Sequence, residues 1–487
     1  MKHNWLLFLL AAAILSGCGD ETGKPTTDDT ASSSTAVSEI VTEPSDVDPH
    51  AVPESDYAGE SFDILYASGG LYIAHERFFF AEEATGEVLN DAIYERNLAV
   101  EEALNIDING VTFGYIDTIY PKIRQDVQAG DNAFDLALTH TFTGITSMIS
   151  ERLVYDWNDV PYVDLTKNYW NQNMNQTLTV NGVLPVASSD YMPADTYMIL
   201  YNKKLHKDYQ LEDYNALVRD GKWTLERFTG EVNKISSDLN GDGVYDVNDQ
   251  YGLAAMLDAN FQGFLNACDL YAVGLTDEGL TITQPDDRFV HMIEVLNGLL
   301  YYNQSVYYWK MADQGTEKAL DFSSDRALFT IVAINSIEPF RNMETDFGIL
   351  PLPKYDEAQE NYRSLSMSGY ITVPQSTADV ELSGKAAELL SHYSAEIFTP
   401  AYYDLLLDSK VARDEESSEM LDIIFDSIVF DYGMVYGGYN EISYSLMQIL
   451  MKKDTAIASY FEKNTKRVQK NIYDKVYKAF VEFGEED

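Results

Sequence analysis

Three short apolar segments with the pattern of strands alternate with two segments of helical spacing between Phe62 and Leu138. The strands are predicted at 62–67, 106–111 and 134–138, and the helices end near Leu104 and Gly130. This alternation is typical of βαβ units, whose strands pair in parallel. The pattern therefore predicts an α/β fold in which ligands bind at the carboxyl ends of the strands.

The rest of the chain continues this organisation less regularly. Further strands are predicted at 183–187, 198–201, 347–353 and 370–374, a helical, loop-rich region at 223–309, and mostly helices from about residue 382. At about 150 residues per domain, a chain of 487 residues corresponds to two or three packing units. Its apolar fraction of 45% is ample for large cores.

The first eighteen residues predict export and lipid attachment. Lys2 and His3 precede the apolar run 5–14, and small residues follow it, as in a secretory signal. The segment Leu15-Ser16-Gly17-Cys18 resembles the bacterial lipobox, which implies lipidation of Cys18 after removal of residues 1–17. Two acyl chains are about what stable anchoring needs. An ordinary signal peptide with an incidental cysteine is the alternative.

Residues 18–60 are expected to form a disordered tether. Ser, Thr, Pro and acidic residues dominate this segment, and its first aromatic residue is Tyr57. Such a composition buries too little apolar surface to offset the entropy lost on ordering. The segment is therefore expected to hold the folded part clear of the membrane, on the extracellular face of the cell.

Charge and motif content exclude several function classes. A formal net charge of −46 excludes nucleic-acid binding, which needs clustered Lys and Arg. The sequence contains no nucleophile elbow, zinc-protease, dinucleotide or P-loop motif, and its seven histidines are scattered. We therefore expect a protein that is not an enzyme. Cys268, without Cys18 as a partner, is expected to be a buried core residue.

The acidic loop 238–249 is the one segment whose residue types and spacing are specific for a binding site. Gly243 stands at loop position 6, where an EF-hand loop turns sharply, and Val244 would offer its carbonyl at position 7. Position 12 carries Asp instead of the usual Glu. The loop predicts a structural Ca²⁺ site, and an Asx-turn loop satisfied by water is the alternative. The proposed ligands are Asp238, Asn240, Asp242, Val244, Asp246 and Asp249.

Six stretches, in order, carry a resemblance to a known family. They are Asn90–Asn97, Gly130–Leu136, Leu200–Leu205, Gly221–Glu226, the acidic loop running on to Gly252, and Gly348–Pro353. The chain resembles the family 1 extracellular solute-binding proteins, the lipid-anchored carbohydrate receptors of bacterial ABC importers. The likeness covers roughly residues 62–480, and the acidic loop resembles a clostridial-type subset, which indicates a Gram-positive source. One departure is the segment Ala327–Ser336, which lacks the aromatic platform that family members often carry there.

The resemblance implies a fold, a function and partners. The fold is the two-lobed, type II periplasmic-binding-protein-like α/β fold, with parallel-rich sheets flanked by helices and lobes joined by crossover strands. The first lobe would comprise residues 61–195 and 370–415, and the second 196–369 and 416–487. The protein would be a monomer that captures a carbohydrate, expected from the family to be an oligosaccharide, and delivers it to ABC permease subunits.

Two other hypotheses for the function remain. A receptor of the same fold could bind a peptide or another small solute, and a surface glycan-active enzyme could share the export signal. The 34 Tyr and 5 Trp residues mildly favour a sugar, because sugar C–H faces stack on aromatic rings.

Candidate ligand contacts follow from the predicted strand ends and crossovers. A sugar needs flat rings for its C–H faces and planar polar groups for its hydroxyls. For each tyrosine, a half-buried core position is the alternative. The candidates are His140, Phe142, Asp190, Tyr191, Asn260, Phe261, Tyr370, Tyr436 and Tyr439.

Overall fold

The computed structural model describes most of the chain from residue 47 onward. The described residues are 47–68, 78–141, 143–193, 195–257, 260–310, 313, 315–337, 340, 343–408, 415–436, 449–451, 453 and 456–484. Cys18, Phe142 and Tyr439 lie outside them.

The first sheet has four strands in the order β13-β3-β1-β2. Strand β1 pairs in parallel with β2 and β3, and β13 runs antiparallel to β3. Alternate residues of β1 face opposite layers: Phe62 and Ile64 join the main core, and Leu65 packs with the smaller cluster around Ile119 and Ile123. The strands are β1 Glu60–Tyr66, β2 Ile106–Thr112, β3 Leu136–His140 and β13 Gly369–Thr372.

The second sheet has six strands in the order β11-β4-β10-β6-β5, and β9 also pairs with β6. Strands β6, β9 and β10 are parallel, whereas β4, β5 and β11 are antiparallel to their neighbours. The strands are β4 Tyr197–Asn202, β5 Ser236–Ser237, β6 Gln250–Met256, β9 Val306–Trp309, β10 Ala327–Ala333 and β11 Phe347–Leu350.

Two small sheets complete the β structure of the described residues. Strands β7 Val273–Thr276 and β8 Gly279–Ile282 form an antiparallel hairpin, and the Ile282 N–H donates to the side chain of Gln469. Strands β12 Ser364–Leu365 and β14 Ile428–Val429 pair in parallel.

Helices cover both sheets. In the first lobe, α1 (Val88–Leu104) packs against α10 (Val380–Tyr393) and is capped by Asn105. Helix α2 (Ile119–Ala129) is capped by Gly130, whose positive φ of 67° suits glycine. In chain order, the helices up to residue 301 are α1 Val88–Leu104, α2 Ile119–Ala129, α3 Ile145–Ser150, α4 Gln172–Leu178, α5 Lys203–Asp208, α6 Tyr214–Arg219, α7 Leu225–Val232, α8 Gly263–Ala267 and α9 Asp287–Tyr301.

The C-terminal part is mainly helical, as the sequence predicts. Its last helical stretch contains a π-helix at Ile472–Tyr477 and touches both lobes, since Phe461 packs on Phe289 and the Glu482 carbonyl accepts a hydrogen bond from Arg152 at 3.0 Å. The helices are α10 Val380–Tyr393, α11 Thr399–Asp408, α12 Glu415–Asp426, α13 Tyr432–Val435, α14 Ile457–Asn471 and α15 Lys478–Gly484.

Two sequence predictions of secondary structure are wrong. Residues 183–187 form only isolated bridges at Val183 and Ala187, because Pro185 has no N–H to donate to a ladder. The region 223–309, predicted as helical and loop-rich, contains five strands, β5 to β9. Strand β6 is buried along most of its length and so lacks the alternation that identifies a half-buried strand.

Residues 47–59, part of the predicted tether, lie against the first lobe. Tyr57 donates its backbone N–H to the Leu104 carbonyl at 2.9 Å, and the Lys385 ammonium reaches the Tyr57 hydroxyl at 3.0 Å. The His50 ring lies 4.8 Å from the ring of His392. Contact with the folded part therefore begins about a dozen residues before β1. Within the described residues, no helix has the length and apolarity needed to cross a membrane.

Candidate functional site

The carboxyl-terminal edges of the two large sheets meet at the crossovers between them. In the first sheet, β1, β2 and β3 end together, and β13 begins beside His140. In the second, β6, β9 and β10 end together, and β4 begins opposite Ala333. The chain enters β4 and β13 through residues 195–196 and 366–368, so these crossovers join the two edges. In open α/β sheets, ligands bind at such edges.

Three crossover segments lie side by side and are hydrogen-bonded. Thr196 bridges Ser366, and its hydroxyl donates to the Leu365 carbonyl at 2.6 Å. The third segment, residues 427–429, lies beside the second because β14 pairs with β12. The hydroxyls of Ser364 and Ser427 are 2.9 Å apart there. Small buried hydroxyl residues thus form the connection between the lobes, which is the expected place for a hinge.

Asp195 ties the first crossover to the second sheet. Its carboxylate accepts hydrogen bonds from the side-chain amide of Asn335 at 2.7 Å and from the Asn335 backbone N–H at 3.2 Å. Its own N–H donates to the Ser368 hydroxyl at 3.0 Å. Burial raises the pKa of Asp195 to about 7, against the lowering effect of these backbone donors.

His140 ties the first sheet to the second crossover. Its Nε2 lies 3.0 Å from the Met367 carbonyl, to which it donates as the Nε2–H tautomer. The ring is 2% exposed, and burial lowers the pKa of His140 to about 4. The imidazole is therefore neutral at physiological pH, and it holds the end of β3 against the segment that enters β13.

Tyr370 lies next to His140 in this arrangement. It pairs with Thr139 across β13 and β3, and its hydroxyl is 3.1 Å from that of Thr141. The side chain is fully buried, which raises its pKa to about 12. The structure thus brings His140, Thr141 and Tyr370 together at the edge of the first sheet.

Asp190 and Tyr191 stand just before the first crossover. No described residue donates a hydrogen bond to the Asp190 carboxylate, and burial raises the pKa of Asp190 to about 7. Tyr191 is fully buried with the Arg96 guanidinium 4.6 Å from its ring centre. Among the described residues, the Tyr191 hydroxyl has no hydrogen-bond partner. The half-buried Asp190 side chain therefore keeps a carboxylate that a solute could satisfy, whereas the Tyr191 hydroxyl is enclosed in the core.

The remaining described candidates have partners of their own. Asn260 closes the turn after β6, where its side-chain oxygen accepts from the Met256 N–H at 2.6 Å. Phe261 stacks on Phe264 in the core. Tyr436 is 1% exposed and donates its hydroxyl to the Leu178 carbonyl at 2.6 Å. In this conformation the Tyr436 side chain belongs to the core.

Sequence reasoning missed the residues that connect the lobes. Asp195 and Asn335 were not among the candidates, although Asn335 follows β10 just as His140 ends β3. The rule that selects residues after a strand would have found Asn335 if β10 had been assigned. Ser366 and Ser368 carry no comparable signal, because isolated serines are common in every loop.

A separate cavity of about 460 Å³ lies along α2. It is lined by Tyr120, Pro121, Arg124, Gln125, Gln128 and Ala129, and no residue of either sheet contributes to it. A single helix supplies the whole lining, so this cavity lacks the convergent polar groups of a solute site.

The acidic loop has the turns of the predicted Ca²⁺ loop but holds its carboxylates against backbone amides. Asp238 accepts from the N–H groups of Gly241 and Gly243 at 2.6 and 2.8 Å, and Asp249 accepts from Leu239 and Asp246, both at 2.9 Å. Gly243 has a φ of 80°. Within the described chain, no three His, Cys, Asp or Glu side chains form a group that could hold a metal ion. The same hydrogen bonds occur in an Asx-turn loop. The oxygen atoms of the proposed ligands are also of the kind that Ca²⁺ prefers.

The fold matches solved solute-binding proteins of ABC transporters. The ABC substrate-binding protein Lmo0181 from Listeria monocytogenes, in complex with cycloalternan, has a TM-score of 0.56 and 13% identity, covering 85% of this chain and 98% of its own. UgpB from Mycobacterium tuberculosis, in complex with glycerophosphocholine, has a TM-score of 0.59 and 15% identity, and the match covers 85% of this chain and 98% of UgpB. The galacto-N-biose-/lacto-N-biose I-binding protein from Bifidobacterium longum, in complex with lacto-N-biose, has a TM-score of 0.56 and 11% identity. The match covers 88% of this chain and 98% of that protein.

No protein-family model and no curated protein sequence matches the chain. At these identities the structural likeness shows the fold. The predicted fold class, a two-lobed periplasmic-binding-protein-like α/β fold, is therefore confirmed, and the structural neighbours are sugar-binding and related solute-binding proteins, as the sequence resemblance implied.

Proposed function

We propose that this protein is an extracellular receptor that captures a carbohydrate between its two lobes and delivers it to the permease subunits of an ABC transporter. The observation that carries this proposal is the meeting of two strand-end edges across three hydrogen-bonded crossovers. A solute bound there would contact both lobes. Two neighbours of the same fold are named as complexes with saccharides, cycloalternan and lacto-N-biose. These neighbours are binding proteins, in agreement with a function that is not enzymatic.

A thermal-shift screen against a panel of mono- and oligosaccharides tests the proposal. A solute that binds only the native state adds RT ln(1 + [L]/Kd), about 2.7 kcal/mol at a hundredfold excess over Kd. We expect at least one saccharide to raise the melting temperature and to be recovered unchanged by mass spectrometry. No response to any saccharide would contradict the proposal, and hydrolysis of the saccharide would indicate an enzyme instead.

Asp190 is the sharpest test of where the solute binds. Because no described residue satisfies its carboxylate, replacement of Asp190 by Ala should weaken binding at least tenfold while leaving stability nearly unchanged. Asp220→Ala, an exposed surface change, is the matched control and should bind as the wild type does. Equal affinity for wild type and Asp190→Ala, measured by calorimetry, would remove Asp190 from the site.

A receptor for another small solute is the second candidate. UgpB, a neighbour with a TM-score of 0.59, is named as a complex with glycerophosphocholine, so this fold accommodates more than sugars. The screen should therefore include glycerophosphodiesters and short peptides. A response to one of these and to no saccharide would select this alternative.

The receptor is further proposed to be a lipoprotein anchored through Cys18. The support is the signal-like segment and the lipobox resemblance in the sequence. Cys18→Ser should shift the protein from the detergent phase to the aqueous phase on phase partitioning, because two acyl chains are lost. Cys268→Ser is the control and should remain in the detergent phase. Retention of Cys18→Ser in the detergent phase would overturn the anchor.

The loop 238–249 is proposed to bind Ca²⁺ as a structural clip, with a Kd on the order of 10⁻⁴–10⁻³ M or tighter. Its support is the spacing of oxygen donors and the turn at Gly243. Calorimetry should detect Ca²⁺ uptake that Asp242→Ala abolishes and Asp220→Ala preserves, and chelation should lower the melting temperature. Absence of uptake by the wild type would leave an Asx-turn loop.

A further inference from the structure

Helix α14 carries an exposed basic face in a strongly acidic protein. Lys463, Lys466, Arg467 and Lys470 are exposed, and each lies three or four residues from at least two of the others, so the four share one side of the helix. The only acidic residue of α14 is Glu462, which gives the helix a formal charge of +3 (four cations less one anion). The whole chain carries −46. We define these four residues as the α14 basic face.

The opposite side of α14 is fixed to the second lobe. Ile457, Phe461 and Val468 are buried, and the Phe461 ring packs edge-on against Phe289 at 5.6 Å. Gln469 donates to the Leu280 carbonyl at 3.0 Å and accepts from the Ile282 N–H at 2.9 Å. These contacts set the rotation of the helix, so the basic face points away from the lobe as a fixed surface.

The lysines of this face have no acidic partner. Within the described residues, Lys463, Lys466 and Lys470 form no ion pair within 4.0 Å, although Glu462 stands four residues before Lys466. Some exposed lysines elsewhere pair with nearby carboxylates: Lys204 with Asp208, Lys222 with Asp220, and Lys318 with Asp313. Although the chain has 79 acidic residues for 33 basic ones, three lysines on one side of a single helix thus carry charge that no described carboxylate within 4.0 Å neutralises.

We propose that the α14 basic face contacts the anionic phospholipid headgroups of the membrane to which the protein is tethered. This proposal rests on the proposed lipid anchor at Cys18, which would hold the protein at the membrane. Residues 19–46, expected from their composition to form a tether, separate Cys18 from the described chain, and a random coil of that length would span roughly 30 Å on average. A protein tethered this close to a bilayer needs only weak attraction by one of its faces to orient. At physiological salt the Debye length is about 8 Å, so the acidic residues farther away are screened from the contact.

Vesicle sedimentation tests the proposal with the unlipidated chain, residue 18 onward with Cys18→Ser. Each basic residue near an anionic surface contributes roughly fivefold to partitioning. We expect binding to vesicles of phosphatidylcholine with phosphatidylglycerol at low salt, loss of that binding at high salt, and little binding to phosphatidylcholine alone. The combined change Lys463→Glu, Lys466→Glu and Lys470→Glu should lower binding to anionic vesicles at least tenfold.

The matched control reverses three paired lysines instead, Lys204→Glu, Lys222→Glu and Lys318→Glu, with the same change in net charge. It should keep most of the binding. Equal losses in both variants, unchanged binding by the α14 variant, or no binding of the parent chain would overturn the proposal. The Lys→Gln version of the α14 variant, checked for an unchanged melting temperature, excludes misfolding as the cause. Because no acyl chain is present, failure here is distinguishable from failure of the anchor or of saccharide binding.

Discussion

At the scale of single residues, buried polar side chains with several partners connect elements that lie far apart in the sequence. Glu388 on α10 is fully buried and accepts hydrogen bonds from the hydroxyl of Tyr169, from the indole N–H of Trp170 at 2.8 Å and from the Asp164 N–H at 3.2 Å. Burial raises its pKa above the ordinary value despite these donors. One carboxylate thus holds the 164–170 loop on α10.

Replacement of Glu388 by Ala should lower the free energy of unfolding by about 3 kcal/mol, because two buried donors lose their acceptor. Glu388→Gln should cost less, since its side-chain oxygen can still accept. Glu381→Ala, an exposed change on the same helix, should cost under about 1 kcal/mol. Urea denaturation measures all three. A cost for Glu388→Ala no larger than that for Glu381→Ala would contradict this role.

His140 predicts a pH dependence of stability. Its pKa is lowered to about 4 in the folded protein by burial, against about 6.5 in the unfolded chain. The unfolded state therefore binds more protons between these values, and this contribution to stability is lost as the pH falls from about 6.5 towards 4. The loss is at most about 3 kcal/mol.

His140→Gln keeps a donor for the Met367 carbonyl and removes the titration. Its unfolding free energy should therefore fall less than that of the wild type between pH 7 and pH 5. Asp190 and Asp195, whose pKa values are raised to about 7, act in the opposite direction in both proteins, so the difference between the two isolates His140. Identical pH profiles would show that His140 does not titrate as described.

At the scale of elements, close packing of β6 against α7 depends on one glycine. A Cβ atom built on Gly252 would lie 1.8 Å from the Val232 carbonyl oxygen. Because backbone cannot move away as a side chain can, Gly252→Ala should lower the unfolding free energy by about 3 kcal/mol. Gly230→Ala, in α7 with nothing within 4 Å of its added Cβ, should be neutral or stabilise by about 0.5–1 kcal/mol. Denaturation of both variants checks this, and equal effects would refute the packing argument.

Predictability from sequence also differs between elements. Strand β1 and helices α1 and α2 are predictable because each presents a periodic apolar face, and both helices end at a left-handed cap, Asn105 for α1 and Gly130 for α2. Strand β6 is not predictable in this way, because neighbours on both sides bury it and its apolar residues run continuously. The segment 183–187 is apolar enough for a strand, but Pro185 prevents a continuous ladder.

At the scale of the whole molecule, the sequence predicts the fold class and part of the site. His140 and Tyr370 are found because both stand where a predicted strand meets the strand-end edge. The Asp195–Asn335 contact is not found, because it joins two segments 140 residues apart whose register depends on the complete second sheet. The placement of Tyr436 in the core likewise depends on long-range packing, since it bonds Leu178, 258 residues away.

The two-lobe arrangement implies a conformational response to solute. A solute that contacts both strand-end edges binds the closed state better than the open one and shifts the population by that difference in affinity. A shift from 1:99 to 99:1 requires about a 10⁴-fold preference for the closed state. The hydrogen-bonded crossovers at Thr196, Ser366 and Val429 are the segments about which such closure would occur.

Small-angle X-ray scattering with and without the saccharide identified by thermal shift tests the central claim most directly. A receptor that closes around its solute should show a smaller radius of gyration at saturating saccharide, and the saccharide should be recovered intact. Asp220→Ala should respond as the wild type does, and Asp190→Ala should need a higher saccharide concentration. An unchanged radius of gyration with saccharide bound at saturation would contradict capture of the solute between the lobes.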